Sequence, residues 1–228
     1  MARRPQPAFE RGGIALSAGE TRRLIVGISG ASGTIYGIRL LEVLRDASIE
    51  THLVMSEAAK RVAESETGYT PAQVEALADA VYTNDEIDAP ISSGSFLTAG
   101  MIVAPCSVKS LSAIAHSYDE TLLVRAADVV LKERRKLVLV VRETPLHLGH
   151  IRLMAQVTEN GAVVLPPVPS FYHQPETIAD IVDQTVGKML DQFGLERHLF
   201  KRWPGGRRLC GPGGATPEGQ SADRPPRG

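Results

Sequence analysis

Short apolar runs recur along this chain. Each is followed by small residues and then by apolar positions spaced three and four apart. Leu24 to Ile28, Thr51 to Met55, Met101 to Ala104 and Leu137 to Val141 read as strands buried on both faces of a parallel sheet. Between them the spacing changes to that of helices. Ile35, Ile38, Leu41, Val43 and Leu44 mark one core-facing stripe. Ser56 is placed to cap a helix over Glu57 to Glu66, with Ala58, Ala59, Val62 and Ala63 inward. Thr70-Pro71-Ala72-Gln73 combines an N-cap, a proline at the first helical position and a capping-box glutamine.

Further on, Ala89 to Ser95 reads as a polar loop, and Val108 to Ala115 as a helix. A helix follows from Thr121 to Lys136, with Leu122, Val124, Ala127, Val130 and Leu131 inside. His147 to Thr158 is helical in pattern. Ala162 to Leu165 is a last short strand, stopped by Pro166, Pro167 and Pro169. Pro175-Glu176 opens a long helix through Phe193, with Gly194 as its stop. Strands alternating with helices predict an α/β fold: a doubly wound, mostly parallel sheet between two helical layers. Chemistry in such a sheet sits beyond the strands' C-terminal ends. Residues 27–34, 56, 104–110 and 142–145 belong there.

The first of these segments, Val26-Gly27-Ile28-Ser29-Gly30-Ala31-Ser32-Gly33-Thr34, turns a strand through small residues into a helix. Such a turn aims backbone amides and a positive helix end at one spot, which suits a phosphate. The other reading is a tight packing turn. The dinucleotide spacing G-x-G-x-x-G is absent, and Gly27-Ile28-Ser29-Gly30-Ala31 lacks the last glycine of a hydrolase elbow. Ser56 and Ser107 each end a strand and open a helix. Each alone reads as an N-cap; together with the first turn they line one crevice with hydroxyls and amides.

Arg142-Glu143 ends an otherwise apolar strand. Arginine suits bidentate phosphate recognition and an adjacent carboxyl can pass a proton to a leaving group; a surface ion pair is the alternative. In the run Lys132 to Lys136, Arg134, Arg135 and Lys136 read as dipole compensation, while Lys132, one turn earlier, is a candidate to reach the crevice. His147 and His150 share a helical face without a third ligand, so no metal site is expected. Trp203, the only tryptophan, reads as an anchor for the C-terminal stretch.

Composition narrows the classes. The 228 residues are 43% hydrophobic with a net charge of −1, enough for a core and no support for a nucleic-acid surface. Cys106 and Cys210 are too few for a disulfide framework, and no run of about 20 apolar residues exists. A cytoplasmic location is expected. Residues 1–21 read as a flexible extension, 22–203 as the folded domain, and the Gly-, Pro- and Arg-rich 204–228 as a disordered tail.

Gly30-Ala31-Ser32-Gly33, Leu53-Val54-Met55-Ser56, Pro105-Cys106-Ser107-Val108-Lys109-Ser110 and Arg142-Glu143-Thr144-Pro145-Leu146, followed by Tyr172, resemble the UbiX-type flavin prenyltransferases. The match runs in order over residues 22–203. The related flavin-dependent cysteine decarboxylases share the fold, but their Pro-Ala-Ser-Ala-Asn motif is replaced by Pro105-Cys106-Ser107-Val108-Lys109. The resemblance implies a flavodoxin-like or Rossmann-like domain in a large homo-oligomer, typically a dodecamer, with FMN at subunit interfaces. It implies transfer of the dimethylallyl group of dimethylallyl phosphate to N5 and C6 of reduced FMN, without a metal. The prenylated FMN would serve a UbiD-type aromatic acid decarboxylase. A non-catalytic flavin-binding subunit of such a decarboxylase and a cysteine decarboxylase are the rival readings.

By position, the resemblance makes Gly30, Ala31, Ser32, Ser56, Ser107, Val108, Lys109, Ser110, Arg125 and Arg142 flavin contacts. Lys132, Arg142, Glu143, Tyr172, Lys188 and Trp203 become the prenyl phosphate site. Glu143, Ser32 and Glu66 become the catalytic groups. Lys188 stands where the family often has arginine, which keeps the charge and loses the bidentate fork.

Overall fold

A computed structural model describes residues 23–47 and 49–203. The N-terminal extension, the C-terminal tail and Cys210 lie outside the described residues. Six strands form one parallel sheet: β1 (Arg23–Ile28), β2 (Glu50–Met55), β3 (Ala80–Tyr82), β4 (Gly100–Cys106), β5 (Lys136–Val141) and β6 (Val163–Val164), in the order β3-β2-β1-β4-β5-β6. Among the described residues the seven α-helices are α1 (Ile35–Arg45), α2 (Glu57–Thr67), α3 (Pro71–Glu75), α4 (Val108–Ala115), α5 (Leu122–Lys132), α6 (Leu148–Glu159) and α7 (Ile178–Asp191).

The strands read as unbroken apolar runs because both faces are covered. Along β5, Val138 and Val140 enter the core shared with α1 and α7. Leu137, Leu139 and Val141 enter the opposite core, with α4, α5 and Val157 of α6. Strand order reverses between β1 and β4, and that switch point is where an open parallel sheet leaves a crevice. Without the three-residue edge strand β3 the order is that of flavodoxin-like sheets; with it, that of dinucleotide-binding sheets.

Helix starts follow the sequence signals. Ser56 Oγ accepts from the Ala59 amide at 3.1 Å, and Thr70 with Gln73 forms the capping box. Three boundaries differ from the sequence expectation. α5 stops at Lys132 rather than Lys136, because Arg134 takes a left-handed φ of 57° and the chain turns into β5. The charged run carries no apolar marker for that turn. α7 starts at Ile178, since Thr177 and Asp180 form a second capping box that outweighs Pro175-Glu176. Gly194 ends its C-terminal turn at φ 65°. His147 is the N-cap of α6, not a residue within it; its ring accepts from the Gly149 amide. Strand β3 had no readable signal in three residues at a sheet edge.

The loop over residues 89–95 is polar but anchored. Arg125 Nε donates to the Ser92 carbonyl at 3.2 Å, and Arg135 donates to the Phe96 and Gly94 carbonyls at 2.7 and 2.6 Å. Arg135 is therefore a loop strut rather than dipole compensation.

Candidate functional site

At the sheet's C-terminal edge the ends of adjacent strands are stitched together. The Ser56 amide donates to the Ile28 carbonyl, the Ser29 amide to the Pro105 carbonyl, and the Arg142 amide to the Cys106 carbonyl, at 3.0, 3.1 and 3.1 Å. These bonds bring the turns 29–34, 56, 105–110 and 142–145 onto one rim. Glycine is required twice there. A Cβ on Gly30 would stand 2.4 Å from Ala58 Cβ, so the first turn lies directly on α2. A Cβ on Gly37 would stand 2.3 Å from the Ala104 carbonyl oxygen, which lets α1 press against β4.

Beside that rim lies a cleft of about 820 Å³, within the size range of small-molecule sites. Ser32, Gly33, Tyr36, Glu66, Arg142 and Glu143 contribute its polar wall; Val141, Pro166 to Pro169, Ile178 and Val182 are among its apolar lining. Glu66 accepts from the Gly33 amide at 2.8 Å and so closes the first turn from α2. Glu143 accepts from the Thr144 amide at 2.9 Å. Among the described residues Arg142 and Glu143 make no ion pair with each other, so the cation faces the cleft uncommitted.

Two helices open on this rim. Ser107 Oγ accepts from the Ser110 amide at 3.2 Å, and the amides of Val108 and Lys109, in the first turn of α4, have no intrahelical acceptor. At α2 the amides of Glu57 and Ala58 stand likewise. Hydroxyls, free amides and one arginine suit a planar, acceptor-rich ligand carrying a phosphate, and FMN fits that description. Burial pushes the Tyr36 phenol above its ordinary pKa, against the opposing pull of a Thr185 hydrogen bond and the Arg142 charge. Cys106 is fully buried and its thiol is pushed up to about 12, so it stays protonated at neutral pH and is no nucleophile.

One chain thus gathers Ser32, Glu66, Arg142 and Glu143 in the cleft, with Gly30, Ala31, Ser56 and Ser107 to Ser110 along the rim. It does not gather the other expected residues. Lys132 ends α5 at the far edge of the sheet, paired with Glu133 beside Gly94. The length of β5, about 20 Å at 3.3 Å per residue, separates that edge from Arg142. Lys188 lies in the last turn of α7, 3.4 Å from Asp191, which also holds Arg202. Tyr172 and Trp203 meet edge-to-face at 6.0 Å, while Phe200 covers Gly187 of α7. Arg125 is held by Asp119 at 3.0 Å and Asp128 at 3.5 Å.

Two residues carry more than their sequence signal suggested. Tyr36 is an aromatic with a polar tip in the first turn after the small-residue loop, and that position could have marked it. Ser29 was legible only as one of several small residues. No group of three metal-ligating side chains exists among the described residues; His147 and His150 stack on each other at 3.6 Å.

A parallel, doubly wound sheet with an open crevice of amides, hydroxyls and arginine at its switch point is a nucleotide- or flavin-binding α/β architecture. The flavoprotein family model matches residues 15–191. The chain belongs to that family and, within it, to the UbiX flavin prenyltransferases. It is 62% identical over 187 residues to the flavin prenyltransferase UbiX of Escherichia coli strain K12, covering 81% of this chain and 99% of that protein. It is 60% identical over 183 residues to that of Thauera aromatica, covering 80% of this chain and 94% of the relative. Among solved structures it is similar to AnUbiX (PadA1) in complex with FMN and dimethylallyl pyrophosphate. There the TM-score is 0.81 at 51% identity, over 82% of this chain and 99% of that one. It is also similar to the dodecameric FMN-dependent Ubix-like decarboxylase from Escherichia coli O157:H7, with TM-score 0.79 and 51% identity over 80% and 100% of the two chains.

Proposed function

We propose that this chain joins the dimethylallyl group of dimethylallyl phosphate to reduced FMN. The observation that carries the reading is the pairing of an uncommitted arginine and a carboxyl, Arg142 and Glu143, in a cleft that adjoins the switch-point rim. When bound, reduced FMN supplies the nucleophilic N5 and C6 to which the five-carbon group is attached. The protein's own part is to orient two ligands, neutralise a departing phosphate and keep water out. The rim from Gly30 to Ser32 and Ser107 to Ser110 holds the flavin through backbone amides and hydroxyls. Arg142 meets the growing negative charge on the phosphate, and Glu143 gives it a proton.

The remaining cations and aromatics reach this cleft from neighbouring copies. Lys132 sits at the wrong edge to act within its own chain. The cleft mouth also exposes Ile178 (81%) and Val168 (70%), apolar surface that a second copy would cover. A homo-oligomer, sized like the dodecameric relative, therefore completes the site. Lys132 and Lys188 then join Arg142 on the phosphate, and the faces of Tyr172 and Trp203 favour a transient allylic cation without capturing it. The product serves a UbiD-type decarboxylase in the cytoplasm.

Anaerobic incubation of the full chain with reduced FMN and dimethylallyl monophosphate or diphosphate, followed by mass spectrometry of the extracted flavin, tests this. A flavin heavier by one five-carbon unit is expected from one of the donors. Carbon dioxide release from a cysteinyl peptide without any prenyl donor would favour the decarboxylase instead.

A further inference from the structure

At the switch point, β1 and β4 are joined by a side chain as well as by backbone. Ser29 is 1% exposed. Its hydroxyl donates to the Pro105 carbonyl at 2.9 Å and accepts from the Ser107 amide at 2.7 Å. Its own amide donates to the same Pro105 carbonyl at 3.1 Å. The reason lies in β4. Regular pairing of β4 with β5 slips between Val103 and Cys106, and Pro105 has no amide to give to a ladder. The Ser107 amide, just past the strand, is left without a ladder partner; the Ser29 hydroxyl takes it, and adds a second bond to the Pro105 carbonyl that the Ser29 amide already reaches.

The consequence falls on the site. Ser29 immediately precedes Gly30-Ala31-Ser32, and Ser107 is the N-cap of α4, whose first turn carries Val108, Lys109 and Ser110. The two turns approach the crevice from opposite sides of the switch point. With Ser29 in place their separation is set by three hydrogen bonds, two of them through its hydroxyl oxygen.

We propose that Ser29 is a positioning residue that fixes the distance between the two flavin-binding turns. It touches no ligand, being closed off from the cleft. This rests on the reading of the rim as a flavin site. Removing the hydroxyl leaves the part-buried Ser107 amide without its acceptor and one bond alone, from the residue-29 amide to the Pro105 carbonyl, between the turns, so the turns drift apart and the flavin loses simultaneous contact with both.

The test compares Ser29→Ala and Ser29→Thr with the unaltered full chain. It uses quenching of FMN fluorescence on titration, the KM for each substrate and the melting temperature. Ser29→Ala is expected to weaken FMN binding about tenfold or more, the scale of one lost buried hydrogen bond, while the KM for the prenyl phosphate stays within about twofold. Ser29→Thr, which keeps the hydroxyl, is expected to restore FMN binding. A Ser29→Ala protein that melts earlier yet binds FMN unchanged would overturn the proposal. So would a folded Ser29→Thr protein no better than Ser29→Ala, or equal losses for both substrates. If Ser29→Ala does not fold, Ser29→Cys, near-isosteric with a weaker donor, takes its place: folded, it must bind FMN more weakly than the unaltered chain while its KM for the prenyl phosphate stays within about twofold, and unchanged FMN binding would overturn the proposal. Unaltered protein that binds FMN but transfers no prenyl group would remove the reaction and leave the Ser29 comparison standing.

Discussion

Glu143 and Gly37 show how single atoms decide behaviour here. Glu143 lies two residues past β5, beside Arg142, and among the described residues its side chain accepts a hydrogen bond from the Thr144 amide alone. Glu143→Gln keeps the shape and loses the proton, so FMN should bind as before while single-turnover transfer slows about a hundredfold, the scale of a general acid. Unaltered turnover would take Glu143 out of the mechanism. At Gly37, two effects oppose each other. Alanine within a helix gains roughly 1 kcal/mol over glycine. Against that, the new Cβ would stand 2.3 Å from the Ala104 oxygen and 2.8 Å from Ile28 Cδ1. A backbone oxygen in a central strand cannot yield, and overpacking of this kind costs about 1–3 kcal/mol. Gly37→Ala should therefore lower the melting temperature despite better helix propensity, which thermal unfolding followed by circular dichroism will read.

At the scale of elements, α7 and what it holds respond to acid. Asp191 accepts from Arg202 at 2.6 and 3.0 Å, and that pairing first, with Lys188 adding to it, holds the carboxyl below its ordinary 3.8. A depressed carboxyl contributes stability above its unfolded pKa, and the contribution is lost as pH falls through the lower folded value. The link between α7 and the C-terminal stretch should therefore loosen only below about pH 4. Trp203 reports on it, being the only tryptophan and lying 6.0 Å from Tyr172. Its emission should be flat from pH 8 to about 5 and shift below about 4, and Asp191→Asn should show the acid form at neutral pH. Emission that changes instead near pH 6 would point to a histidine.

The same elements show what the sequence could and could not convey. Helix starts were legible at Ser56, Thr70 and Ser107, where a side chain satisfies an orphan amide directly after a strand or before a proline, but not at Thr177, whose capping box lies just past Pro175-Glu176. The end of α5 was not, because Arg134 enters the left-handed region for tertiary reasons: Arg135 must reach the carbonyls of Gly94 and Phe96. The rim segments were readable as strand-end turns. That Tyr36 faces the cleft was not, because the packing of α1 places it there.

In the whole molecule, the division of the expected phosphate site is the main fact. Arg142 and Glu143 lie at one edge of the sheet, Lys132 at the other. If copies complete one another, mixing Lys132→Ala chains with Arg142→Ala chains should regain activity that neither has alone, since some clefts then receive both intact groups. Each mixture is read in the prenyl-transfer assay after subunit exchange. In the proposed assembly the rim at the β1–β4 switch point seats the flavin and a neighbouring copy completes the phosphate clamp. A crystal structure of the full chain with FMN and dimethylallyl phosphate tests it most directly. The isoalloxazine is expected against Gly30 to Ser32 and Ser107 to Ser110, with the phosphate held by Arg142 and the Lys132 of another copy. A vacant rim, or Lys132 directed into bulk solvent in the assembled particle, would contradict it.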